Sequence, residues 1–179
     1  LVLREYRRGG LVAKVSSAAY LYTRESEVRS FAEFRLLNQL VALGLPVPCP
    51  VAACYRKLSP IQYRAAIIIE QLEGTTPLAD VFQTLTSDAW AALGATIRQF
   101  HDAGVRHADL NCFNVLVRGA DYFLIDFDKG SIRQSESNSG WKDQNLSRLH
   151  RSLVKVNDGE DASLNQGWQA FLAGYRRSS

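Results

Sequence analysis

His107-Ala108-Asp109-Leu110-Asn111-Cys112-Phe113-Asn114, with Asp126-Phe127-Asp128 twelve residues after Asn114, is the stretch on which the fold turns. Gly104 closes the helical pattern that precedes it. Val115–Val117 and Tyr122–Ile125 read as two short strands around the turn Arg118-Gly119-Ala120-Asp121. Asp109, Asn114 and Asp126 then fall at the ends of a hairpin, where a carboxylate, an amide oxygen and a second carboxylate can converge. Oxygen donors of this kind suit a hard cation such as Mg2+, which keeps waters and phosphate oxygens in its other positions. Phosphoryl transfer needs that arrangement, with a separate carboxylate to orient the acceptor hydroxyl.

The spacing resembles the catalytic loop of protein-kinase-like enzymes. There, His-x-Asp is followed by Asn five residues after the Asp, and a strand-borne Asp-Phe lies about a dozen residues on. Asp109 to Asn114 is five and Asn114 to Asp126 is twelve. The competing reading is a set of solvated loop carboxylates with a capping Asn. His107 reads as a structural residue that bonds the loop backbone rather than as an acid or base. Such a fold also calls for a strand cation that holds phosphates and a helix Glu that pairs with it. Glu33 lies on the helical stripe of Leu37 and Leu40, among apolar neighbours. A buried carboxylate is costly unless paired, and the first strand supplies Arg4, at a position where Lys is usual. Lys14 is the rival, beyond the Gly9-Gly10 break, and a solvated Glu33 is the plain alternative. No glycine-rich phosphate cover precedes Arg4, because Arg8-Gly9-Gly10 follows that strand and lacks the G-x-G-x-x-G spacing. The chain contains no Met. Both features read as a trimmed piece of a longer protein.

Outward from the loop, Leu1–Tyr6 reads as a strand and Glu25–Leu43 as a helix stopped by Gly44 and by Pro46, Pro48 and Pro50. Strands follow near Val51–Tyr55 and Tyr63–Leu72, then a turn at Glu73–Pro77. Leu78–Leu85 reads as a short helix. Thr86 or Ser87 caps a longer one to about Ala103, with Trp90, Leu93, Ile97 and Phe100 on one stripe. Gln134–Gly140 is a polar loop, and Trp141–Val154 and Leu164–Tyr175 are amphipathic helices. The stripe Leu164, Trp168, Phe171, Leu172, Tyr175 reads as core, with a membrane-surface face as its alternative. The expected class is α+β: a protein-kinase-like two-lobe fold with a truncated N-terminal lobe. Residues 1–73 form a partial N-terminal lobe, and 74–179 form a helical C-terminal lobe with the catalytic loop.

Composition narrows the function classes. The 179 residues are 46% apolar and 22% charged, which excludes a disordered tail, a fibre or a coiled-coil rod. Apolar runs are short, as at Ala65–Ile69, far below the roughly 20 residues of a spanning helix. The first residues do not have the charge order of a signal peptide. Lys plus Arg is 21 and Asp plus Glu is 18, a net charge of +3. That suits an anionic partner but lacks the dense basic stripe of a nucleic-acid binder. Cys49, Cys54 and Cys112 have no paired spacing and read as free thiols rather than as a zinc site.

Further segments carry a narrower resemblance. Leu3-Arg4-Glu5-Tyr6-Arg7-Arg8-Gly9-Gly10-Leu11, Phe31-Ala32-Glu33-Phe34-Arg35-Leu36-Leu37 and Gly44-Leu45-Pro46-Val47-Pro48 are three of them. His107–Asn111, Leu124-Ile125-Asp126-Phe127-Asp128-Lys129-Gly130 and Trp141-Lys142-Asp143-Gln144-Asn145-Leu146-Ser147-Arg148-Leu149 complete the set. Together they resemble the 3-deoxy-D-manno-octulosonic acid (Kdo) kinases, lipopolysaccharide core kinases with a protein-kinase-like fold. The resemblance implies ATP-dependent phosphorylation of the 4-hydroxyl of Kdo on a lipid A precursor. It further implies a peripheral place on the cytoplasmic face of a bacterial inner membrane. Asp109 would be the catalytic base, Asn114 and Asp126 the Mg2+ ligands, and Arg4 with Glu33 the phosphate-holding pair. Glu70-Gln71-Leu72 would face adenine through its backbone. Cys112 and Phe113 depart from the smaller or more polar residues expected there and read as packing variants.

An anionic, lipid-anchored acceptor calls for positive charge beside the site, and Arg7, Arg8, Lys129 and Arg133 are the candidates. Two other functions stay open on sequence. Asp109-Leu110-Asn111 also resembles aminoglycoside- or choline-type phosphotransferases. Arg4 in place of Lys and the missing cover suit a non-catalytic nucleotide-binding module.

Overall fold

The computed structural model describes residues 1–6, 20–133 and 140–177. It divides into two units, Leu1–Gly44 with Pro48–Leu72, and Leu45–Val47 with Glu73–Ser179.

The first unit is an antiparallel sheet with one helix. Its strands are β1 (Val2–Glu5), β2 (Tyr20–Leu21), β3 (Pro50–Ser59) and β4 (Gln62–Ile69). β4 is the hub. β3 pairs with it on one side, and β1 and β2 pair with its two ends on the other. The register sets Arg4 opposite Ile67 and Tyr20 opposite Tyr63. Tyr63, Ala65 and Ile67 alternate into the core, as period-two spacing requires. Helix α1 (Arg29–Ala42) buries Leu36, Leu37 and Leu40 on a three-and-four spacing. It starts four residues later than its sequence pattern suggests. Glu25–Glu27 is a 3₁₀ turn, and Val28 is extended and fully buried before the first α-helical residue. Gly44, at φ +70, ends the helix where a side chain would be strained. β3 runs four residues past Tyr55 because ladder bonds to β4 hold it. Most of its side chains are exposed, so no apolar alternation marked its end.

The second unit is mainly helical. β5 (Thr76–Pro77) leads into α2 (Leu78–Val81), a 3₁₀ turn at Phe82–Thr84 and α3 (Ser87–Asp102). The Thr86 hydroxyl caps α3 by accepting from the Ala89 amide at 3.2 Å. Then come β6 (Val105–Arg106), β7 (Val115–Arg118), β8 (Asp121–Leu124), β9 (Ser131–Ile132), α4 (Gly140–Val156) and α5 (Ala162–Arg176). β5 lies in the segment expected to be a turn. It pairs with β7, and β6 pairs with β9; two-residue strands carry no readable periodicity. The Leu124 amide donates to the Pro46 carbonyl at 3.0 Å, which joins Leu45–Val47 to the β8 end of the hairpin. Of the expected loop Gln134–Gly140, residues 134–139 lie outside the described residues, and Gly140 is the first residue of α4.

Helices α3 and α5 form the core of this unit. Trp90, Leu93, Ile97 and Phe100 are all at most 3% exposed, and Leu164 and Phe171 bury against them. Trp168 stacks on Phe171 at 4.4 Å. Of the α5 stripe, Leu164 and Phe171 are core, and Trp168, Leu172 and Tyr175 are half-buried beside them. The helices approach so closely that a Cβ on Gly94 would strike the Phe171 carbonyl, and one on Gly174 the Ala91 carbonyl. No helix among the described residues is long and apolar enough to cross a membrane.

Candidate active site

The loop before β7 hangs on His107. The Asp109 amide donates to His107 Nδ1 at 3.1 Å, so that nitrogen carries no proton. Nε2 then holds the proton and donates it to the Ile125 carbonyl at 2.9 Å. The ring is 2% exposed, and burial pushes its pKa down, which keeps it neutral. His107 thus bridges the loop to the residue before Asp126 and has no proton to trade. Asn145 of α4 clamps the same residue. Its Oδ1 accepts from the His107 amide at 3.2 Å and its Nδ2 donates to the His107 carbonyl at 2.8 Å.

Two amides fold the remainder of the loop. Asn111 Oδ1 accepts from the amides of Phe113 (2.9 Å) and Asn114 (3.2 Å), a local side-chain turn. Asn111 Nδ2 and Asn114 Nδ2 both donate to the Asp109 carbonyl, at 3.1 and 2.9 Å. The Ile125 amide donates to the Asn114 carbonyl at 3.1 Å, extending the β7–β8 hairpin beyond Val115 and Leu124. Asp126 is the next residue, held at φ +63, a region seldom used by residues other than glycine. Phe127 is fully buried and anchors the turn that follows, where Gly130 donates to its carbonyl at 2.8 Å.

These bonds tie the Asp109 carbonyl to the Asn114 side chain and the Asn114 carbonyl to Ile125, the residue before Asp126. The donor set fits a hard divalent cation. With Nδ2 of Asn114 committed to the Asp109 carbonyl, Oδ1 is the end that could take an ion, and Asp126 is the nearby carboxylate in sequence that could join it. Among the described residues no cluster of three or more His, Cys, Asp or Glu forms a protein-only cage. An amide oxygen and one carboxylate, leaving positions for water and phosphate, is the ligand count that Mg2+ takes at nucleotide sites.

Helix α4 supplies residues not assigned a role in the sequence reading. Arg148 Nη1 donates to Asp109 Oδ1 at 2.8 Å, with both side chains about half exposed. Ser152 Oγ accepts from the Cys112 amide at 2.9 Å. Asn145, Arg148 and Ser152 are spaced three and four apart and so share one helix face. That spacing, which begins inside the segment Trp141–Leu149 and ends three residues beyond it, was the available signal. Cys112 is a packing residue, fully buried, but Phe113 is 56% exposed and packs into no core.

In the first unit, Glu33 is 4% exposed and accepts hydrogen bonds from the Arg4 guanidinium and the Tyr6 hydroxyl. Burial, reinforced by the neighbouring Glu33 carboxylate, pushes the Tyr6 phenol pKa up and keeps it a donor. The exposed Glu70 follows β4. Its amide donates to the Cys49 carbonyl at 2.8 Å, and its carboxylate accepts from the Cys49 amide at 3.2 Å. Leu72 is half-buried. Lys129 is exposed at φ +61, three residues past Asp126. Arg133 is exposed and donates its backbone amide to the Gly104 carbonyl at 2.8 Å. Neither cation is bonded to Asp109 among the described residues. Arg7, Arg8 and Lys14 lie outside the described residues.

Comparison with known proteins gives this arrangement a context. The model of the lipopolysaccharide kinase (Kdo/WaaP) family matches residues 1–175. A protein of Xanthomonas euvesicatoria pv. vesicatoria (strain 85-10), named 3-deoxy-D-manno-octulosonic acid kinase, is 48% identical over 157 residues. That match covers 87% of this chain and 62% of the relative. A protein of the same name from Xanthomonas oryzae pv. oryzae (strain PXO99A) is 47% identical over 165 residues, covering 89% and 65%. Its namesake in Xylella fastidiosa (strain M12) is 45% identical over 157 residues, covering 87% and 62%. The chain thus spans a little over three fifths of the length of these relatives. A solved structure described as WaaP in complex with acyl carrier protein shares the fold. Its TM-score is 0.62 at 22% identity, over 83% of this chain and 67% of that one.

Proposed function

We propose, from the premise that this chain belongs to the lipopolysaccharide kinase (Kdo/WaaP) family, that it carries out ATP-dependent phosphorylation of the 4-hydroxyl of Kdo on a lipid A precursor. The observation that carries this reading is the loop from His107 to Asn114. It offers an exposed carboxylate, Asp109, on a backbone fixed by His107, Asn111, Asn114 and Asn145. A general base must be reachable by substrate and yet held still.

In this reading Asp109 accepts the proton of the acceptor hydroxyl as the phosphoryl group transfers. Asn114 Oδ1 and the Asp126 carboxylate hold Mg2+. The ion, when bound, supplies neutralisation of the phosphate charge. The neutral His107 keeps the Asp109 and Asp126 segments in step by bonding to both. Arg4, oriented by Glu33, holds phosphate oxygens, and the backbone of Glu70–Leu72 faces adenine. Lys129, Arg133, Arg7 and Arg8 supply positive charge toward the anionic acceptor. Residues 1–73 and 74–179 act as the two lobes of a protein-kinase-like enzyme. With a lipid-anchored acceptor, the protein works peripherally at the cytoplasmic face of the inner membrane. The test is incubation of the full-length protein with Mg-ATP and a defined Kdo-bearing glycolipid. One added phosphate, on the Kdo 4-hydroxyl, is expected. A product phosphorylated elsewhere, or transfer to aminoglycosides or choline instead, contradicts the reading.

A further inference from the structure

We infer that Arg148 reads the carboxylate of the acceptor sugar and thereby sets the sugar's hydroxyl against Asp109. The inference rests on the phosphotransfer reading above and adds to it a specificity-determining residue on α4.

Three observations carry it. First, Arg148 is the cation bonded to the proposed base, with Nη1 at 2.8 Å from Asp109 Oδ1. Second, among the described residues Asp109 is the hydrogen-bonding partner of that guanidinium, and the side chain is 48% exposed. A guanidinium has five N–H donors in a fixed fork, so donors remain for a second anion beside the first. Third, the part of α4 that carries Arg148 is anchored on both sides. Asn145 clamps the His107 backbone, and Ser152 accepts from the Cys112 amide. The guanidinium therefore issues from a helix fixed to the loop it faces.

Acceptor chemistry supplies the rest. An octulosonic acid carries its carboxylate only two ring carbons from the 4-hydroxyl. Whatever binds that carboxylate must lie within a residue's reach of the base. Arg148 meets the condition. Arginine is also the side chain whose fork matches a carboxylate bidentately, and lysine does not reproduce that match. An exposed ion pair adds little to folding, so stability alone gives poor reason to place an arginine on the base.

The experiment compares two acceptors with the full-length protein: the Kdo-bearing glycolipid and its counterpart with the carboxylate converted to a neutral carboxamide. The wild-type protein is expected to prefer the acid by about 10- to 100-fold in kcat/KM, the value of a charge-assisted pair. Arg148→Ala should lower kcat/KM for the acid by a similar factor and abolish the preference, with the KM for ATP unchanged. Arg148→Lys should fall between. An acid preference that survives Arg148→Ala, a wild-type protein indifferent to the carboxamide, or a defect confined to the KM for ATP overturns the inference. Should Arg148→Ala fail to fold, the wild-type ratio and Arg148→Lys still decide. Absence of any transfer by the wild-type protein to the acid would instead count against the phosphotransfer reading itself.

Discussion

The Arg4–Glu33 pair of the first unit and the Arg148–Asp109 pair of the second join the same functional groups in opposite surroundings. In the first, the side chains are 27% and 3% exposed, and the carboxylate also takes a hydrogen bond from Tyr6. In the second they are 48% and 57% exposed. Burial makes the first pair the costlier to break, because the Glu33 carboxylate is held almost wholly out of water. Exposure makes the second pair exchangeable, so a ligand can take either partner.

The largest stability effect should come from breaking the buried pair. Arg4→Met takes the guanidinium away from the buried Glu33 carboxylate and should cost about 3–5 kcal/mol in urea denaturation. A loss below roughly 1 kcal/mol would show that the two pairs are energetically alike. Next is acid. All three histidines, His101, His107 and His150, lie in the second unit. Burial pushes the His101 pKa down to about 4, and His107 moves the same way. The unfolded chain takes up these protons first, near the ordinary value of about 6.5. Stability should therefore be complete above that pH and fall as pH drops from there to about 4, where His101 alone has removed roughly 3 kcal/mol. Stability between pH 7 and 8 should be flat. Urea midpoints between pH 6.5 and about 4 should fall less steeply in His101→Gln, and identical slopes would contradict the assignment. The smallest effect should be that of Arg148→Ala, within about 1 kcal/mol of wild type. A larger loss would make Arg148 a structural residue and erase the contrast.

Legibility in the sequence followed the same division. The α3 stripe, the hairpin and the Asp109–Asn114–Asp126 spacing were readable because each rests on local periodicity or a short fixed interval. The inward face of Glu33 came from its place beside Leu37 and Leu40. Asn145, Arg148 and Ser152 were not assigned, because their partners lie 38 to 40 residues away in the chain. The two-residue strands β2, β5, β6 and β9 were missed for a related reason, since pairing alone defines them. Phe113 was expected to pack and instead stands exposed. Its neighbours on the loop are held by side-chain amides rather than by apolar contacts.

The proposition that Asp109 takes the acceptor proton is tested most directly by Asp109→Asn in the full-length protein, with transfer and ATP binding measured side by side. Turnover of the Kdo-bearing glycolipid should fall by at least about 100-fold while ATP affinity stays at the wild-type value. Undiminished turnover in that variant would contradict the account.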